Sequence, residues 1–84
     1  MSDLRQLVGK RVLMTGGAAN IGRASALLMA EHGASLVIGD IDIDGANETV
    51  AQIVAAGGTA LAIKTDVTKE ADIKACVSAT AKAF

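Results

Sequence analysis

The chain has 84 residues, 51% of them apolar and 20% charged, which limits it to one small domain and excludes intrinsic disorder by composition. Eight basic against nine acidic residues leave a net charge of −1, so no summed field draws it to nucleic acid or to an anionic membrane surface. The lone cysteine, Cys76, excludes an internal disulfide, no apolar run approaches the ~18 residues of a membrane span, and the opening MSDLRQ lacks a signal core, so a cytoplasmic setting is expected.

The first apolar run, Val12 to Met14, is continuous instead of alternating, as in a parallel strand covered on both faces. After Thr15 it breaks into a turn of small residues ahead of a helix predicted from about Ile21 to His32. A strand that reverses directly into a helix leaves the first helical N–H groups unpaired at the positive end of the dipole, which makes an anion site. Gly16, Gly17, Ala18 and Ala19 keep that turn free of bulk. Asn20 tolerates a left-handed backbone better than any residue but glycine, and Gly22 lets the helix lie close to the strand. Ile21, Ala24, Leu27 and Leu28 are expected to form the apolar face. Arg23 lies near the anion site and is expected on the helix surface, and His32 is given no ligand or catalytic role. Gly33 reads as a left-handed stop.

The second strand, Leu36 to Ile38, runs into Asp40, about 20 residues beyond the turn, where a dinucleotide site needs an acceptor for ribose hydroxyls. A carboxylate there repels a 2′-phosphate, and no Lys or Arg lies between Asp40 and Ile63, so NAD is expected over NADP. Asp42 is expected to cap the second helix, whose stripe is Ala46, Val50, Ile53 and Val54, with Gly57 and Gly58 closing it. The third strand spans Ala60 to Ile63. Thr68 is expected to cap the third helix, with Ile73, Val77, Thr80 or Ala81, and Phe84 as its inward stripe. Cys76 is expected as a small buried hydrophobe.

The order is therefore βαβαβα. Right-handed crossovers then give a three-stranded parallel sheet in order 3-2-1, a partial Rossmann α/β fold forming one domain over residues 1–84. The first two helices are expected on one face and the third on the other.

These residues resemble the short-chain dehydrogenase/reductase family. Its N-terminal pattern is Thr-Gly-x-x-x-Gly-x-Gly, and TGGAANIG from Thr15 to Gly22 follows it with Asn20 in place of the middle glycine. TDV, Thr65 to Val67, looks like the family's adenine-contacting element. The resemblance implies that the Asp66 carboxylate accepts from the adenine amino group, that the Val67 backbone donates to the ring, and that Ile21 and Ile41 line the pyrophosphate and adenosine sites. It runs from about Leu7 to Phe84 and implies the NAD-binding portion of an oxidoreductase for an alcohol or carbonyl substrate. Gly16, Asn20, Ile21, Gly22, Asp40, Ile41, Asp66 and Val67 would be the cofactor residues, with no metal.

Family members continue into a fourth strand, a catalytic serine and a Tyr-x-x-x-Lys pair. This sequence contains no tyrosine, so no catalytic residue is assigned and these 84 residues alone are expected to be inactive. A rival reading is a stand-alone nucleotide-binding module, or a structural half-fold without an enzymatic role. An open strand edge and a bare aliphatic face lead us to expect self-association.

Overall fold

A computed structural model describes residues 7–16 and 19–83. In chain order the elements are β1 (Arg11–Thr15), α1 (Asn20–Glu31), β2 (Ser35–Asp40), α2 (Ile43–Ala55), β3 (Thr59–Lys64) and α3 (Glu70–Ala83). The strands pair in parallel in the order β1-β2-β3, which is the expected half of a doubly wound α/β fold. α1 and α2 pack together over one face, and α3 packs over β1 and β2.

The central strand explains the layering. Along β2, side chains alternate between faces. Leu36 and Ile38 meet Ala26, Ala34, Ala46 and Ile53 in the main core, and each large aliphatic buried there contributes about 1.5–3 kcal/mol relative to exposure. On the other face Val37 is buried. Gly39 follows it because α3 comes too close for a side chain: an added Cβ would lie 2.7 Å from the Cys76 sulfur and 2.9 Å from the Thr65 hydroxyl. Cys76 is thus buried, as its sequence context implied.

Both helices of the main layer end in the same way. The amides of Gly33 and Ala34 donate to the carbonyls of Ala30 and Met29, and those of Gly57 and Gly58 donate to Val54 and Ile53. These paired bonds satisfy carbonyls that the helix leaves orphaned, and they require the left-handed φ of +97° at Gly33 and +91° at Gly57.

The inward faces of two helices differ from expectation. On α1 the buried residue is Ala26, with Leu27, Met29 and Ala30 packed beside it, while Ile21 is 83% exposed and Leu28 is also exposed. On α3, Cys76 faces the sheet, and Ile73 and Val77 are exposed. Thr80 is half-buried, its hydroxyl donating to the Cys76 carbonyl at 2.8 Å, and Phe84 lies outside the described residues. In both helices a small residue, Ala26 or Cys76, is the buried one; at Cys76 this follows from the close approach of α3 to β2 at Gly39. α2 keeps Ala46 and Ile53 inside, exposes Val54, and fully buries Thr49.

Candidate functional site

The carboxyl ends of three parallel strands and the loops that follow them form one crevice of about 440 Å³, whose wall includes Gly16, Asp40, Ile41, Asp66 and Val67. Thr15, Gly39, Thr65 and Thr68 complete that wall; none of them was named as a cofactor residue from the sequence, where Thr15 and Thr65 stood only within the quoted motifs and Thr68 was expected as a helix cap. Their positions at strand ends were the available signal, because ligands of such sheets bind beyond the carboxyl ends. Asn20, Ile21 and Gly22 are not part of this wall; they open α1 beyond the glycine turn.

Gly16 has φ +79° and, among the described residues, nothing within 4 Å of where a Cβ would stand, so its requirement is conformational. Asn20 adopts φ +56°, the left-handed backbone foreseen for it. Ala19, before α1, supplies no capping side chain, and the first turn contains no acidic residue. The amino end of α1 therefore has no carboxylate of its own in that turn, which suits an anionic ligand. Gly17 and Ala18 lie outside the described residues.

Asp40 ends β2. Its Oδ1 accepts from the Asp42 amide at 3.0 Å, and Asp42 Oδ1 accepts from the Gly45 amide at 3.0 Å, capping α2 as expected. Lys64 pairs with Asp40 in the β2–β3 register, so a basic residue lies across from this carboxylate, one position past the stretch found free of Lys and Arg. Lys64 also joins Ile41, Asp66, Lys69 and Asp72 around an adjoining groove of about 490 Å³.

Asp66 is held on both sides. Its Oδ1 accepts from the Thr68 hydroxyl at 2.6 Å and from the Thr68 amide at 2.9 Å, while its own amide donates to Asp72 Oδ2 at 2.9 Å. The two Thr68 donors, aided by Lys69, hold the Asp66 carboxyl below the usual aspartate range. Thr68 is consequently not the cap of α3: beside an anion its hydroxyl donates, and the helix starts at Glu70. Among the described residues, Asp66 Oδ2 and the Val67 N–H have no hydrogen-bond partner. An acceptor and a donor on adjacent residues match the amino group and ring nitrogen of an aminopurine edge.

Arg23 also departs from expectation. It is not a plain surface residue: its Nε donates to Thr49 Oγ1 at 2.9 Å and its Nη2 to the Gly45 carbonyl at 3.2 Å, with Glu48 Oε2 at 3.4 Å. A larger groove of about 550 Å³ lies at the opposite end of the sheet, between the carboxyl ends of α1 and α2. Its walls are Leu27, Ala30, Ile53 and small residues, with Glu31 the ionisable group. It contains none of the residues named as cofactor-binding from the sequence, so size alone does not identify the site.

The model of the short chain dehydrogenase family matches residues 10–84. The chain belongs to this family. It is 47% identical over 79 residues to 2,5-dichloro-2,5-cyclohexadiene-1,4-diol dehydrogenase LinX of Sphingobium indicum, covering 94% of this chain and 32% of that protein. A crystal structure of hydroxysteroid dehydrogenase from Escherichia coli superposes with a TM-score of 0.88 at 39% identity, over 94% of this chain and 33% of the other. A 7α-hydroxysteroid dehydrogenase complexed with NADH and 7-oxo glycochenodeoxycholic acid superposes with a TM-score of 0.85 at 41% identity, over 90% of this chain and 29% of the other. The chain thus spans about a third of the length of these relatives.

Proposed function

We propose that these 84 residues are the NAD(H)-binding portion of a short-chain dehydrogenase/reductase acting on an alcohol or carbonyl substrate, in the cytoplasm, and that they form a single domain. The observation that carries this reading is the shared crevice of Gly16, Asp40, Ile41, Asp66 and Val67, with an unpaired acceptor and donor on its wall. The NADH held by a structural neighbour supports it.

In this reading the open turn at Gly16 and the amides of Asn20, Ile21 and Gly22 hold the diphosphate, where the α1 dipole favours negative charge. Asp40 accepts from the ribose hydroxyls. Asp66 Oδ2 accepts from the adenine amino group and the Val67 N–H donates to the ring, while the exposed side chains of Ile41 and Val67 cover the adenine faces and exclude water. Asp66 is ionised at neutral pH, and so purely an acceptor, and the Thr68 donors hold its carboxyl still lower than the usual aspartate range. When bound, the cofactor's nicotinamide supplies or takes up hydride. The residues named here orient the opposite end of the molecule. With no tyrosine in the sequence, these residues bind cofactor without turnover.

NAD is preferred over NADP because a 2′-phosphate would meet the Asp40 carboxylate, with Lys64 opposite as a partial counterweight. The chain self-associates through an outer strand of the sheet or through the aliphatic side chains that α3 leaves exposed. Titration calorimetry tests the binding: NAD and ADP-ribose should bind about equally and NADP more weakly. A marked preference for NAD over ADP-ribose would reveal a nicotinamide pocket within these residues. Absence of binding, together with no melting shift on adding NAD, would leave the structural half-fold.

A further inference from the structure

A cation near the amino end of a helix opposes the helix dipole, so Arg23, in the first turns of α1, is kept there by other interactions. Its guanidinium crosses to α2, where it meets Thr49 Oγ1, the Gly45 carbonyl and Glu48. Thr49 is fully buried, and its hydroxyl also donates to the Gly45 carbonyl at 3.2 Å, which fixes the lone pair offered to Arg23. The Gly45 amide donates to Asp42 Oδ1, and the Asp42 amide donates in turn to Asp40 Oδ1. A continuous hydrogen-bonded path therefore runs from the residue after Gly22, through the first turn of α2, to the carboxylate that ends β2.

We propose that Arg23 is a positioning residue that sets the spacing between the two anchor points of the dinucleotide, the amino end of α1 and the Asp40 carboxylate. The inference rests on the dinucleotide reading above. A ligand gripped at two points gains from both only when their separation matches its own. The planar guanidinium suits this task because Nε and Nη2 engage the hydroxyl and the carbonyl together, which the single ammonium of a lysine does not reproduce. A direct contact between Arg23 and the phosphates would work differently. The acceptors on α2 would then compete with the ligand, and removing them would strengthen binding.

The test is an NMR titration of the 84-residue chain with adenosine, which reaches only the Asp40 and Asp66 side, and with ADP-ribose, which reaches both anchors. R23M and T49V should weaken ADP-ribose about tenfold, as expected for lost coupling between two sites, and change adenosine by less than about twofold. T49S, which keeps the hydroxyl, should restore ADP-ribose affinity. E48Q alters an exposed partner and leaves the core intact, so it answers the question even if T49V does not fold; it should weaken ADP-ribose by about two- to threefold. Tighter ADP-ribose binding in T49V or E48Q overturns the positioning role in favour of direct phosphate contact, and equal weakening of both ligands overturns it in favour of general destabilisation. Failure of the unsubstituted chain to bind either ligand overturns the dinucleotide reading itself, and this inference with it.

Discussion

Over one face of the sheet α1 and α2 lie side by side, joined by Arg23, and enclose Leu36, Ile38, Ala46 and Ile53. Over the other face, among the described residues, α3 is the one helix; it buries Cys76 and leaves Ile73 and Val77 exposed. The two layers use similar aliphatic residues, so composition does not separate them. The difference is lateral: two neighbouring helices wall in each other's flanks, whereas a single helix seals only the line along which it touches the strands.

The sharpest way to break this comparison is to delete a side chain from the sealed layer. Ile53→Ala should lower stability by about 2–5 kcal/mol in urea unfolding, because it removes a side chain packed into the main core and leaves space behind it. On the α3 face, Gly39→Ala should cost about 1–3 kcal/mol by overpacking against Cys76, and a second change, Cys76→Ala, should recover much of that loss, a coupling visible in a double-mutant cycle. Gly57→Ala, where the added methyl meets open space but φ is +91°, should cost about 1 kcal/mol in thermal melts from backbone conformation alone. Val77→Ser should change stability by no more than about 0.5 kcal/mol while reducing the self-association proposed above, with light scattering as the measurement.

The smallest effect concerns protonation. The folded Asp66 carboxyl titrates below its unfolded value, so its contribution to stability is present above the unfolded pKa and disappears as pH falls through the folded one. Thr68→Val removes the hydroxyl that heads the causes of the shift. A carboxyl-detected NMR titration should then find Asp66 titrating at higher pH, and acid unfolding should depend correspondingly less on this residue.

Much of the architecture was legible because it depends on local signals. Continuous apolar runs marked the strands, Gly33 and Gly57 marked helix ends, and Asn20 stood where the backbone turns left-handed. The residues at strand ends converge because parallel pairing brings the ends of β1, β2 and β3 together. Helix phase was harder to read. In α1 and α3 apolar and small residues occur nearly all round, so periodicity supplied a stripe without saying whether Ile21 and Val77 or Ala26 and Cys76 faced the sheet. At α3 the close approach to Gly39 chose the smaller residue. The bridge from Arg23 to α2 was hidden for another reason: its partners, Gly45, Glu48 and Thr49, become neighbours only when the two helices lie side by side. Thr68 looked like a cap in isolation, and the Asp66 anion redirected its hydroxyl.

β2 is hydrogen-bonded to a strand on each side and covered by helices above and below, while among the described residues β1 and β3 each pair on one edge only. Fluctuations that unzip the sheet start at such margins, so amide exchange in β2 should be the slowest in the molecule. Asp40 is the last residue of that most protected strand. On the dinucleotide reading proposed above, fraying of β1 would loosen the grip beside Gly16 and fraying of β3 the grip beside Asp66, yet either event would leave the sugar tethered, so a departing nucleotide would peel away from its ends and release its middle last.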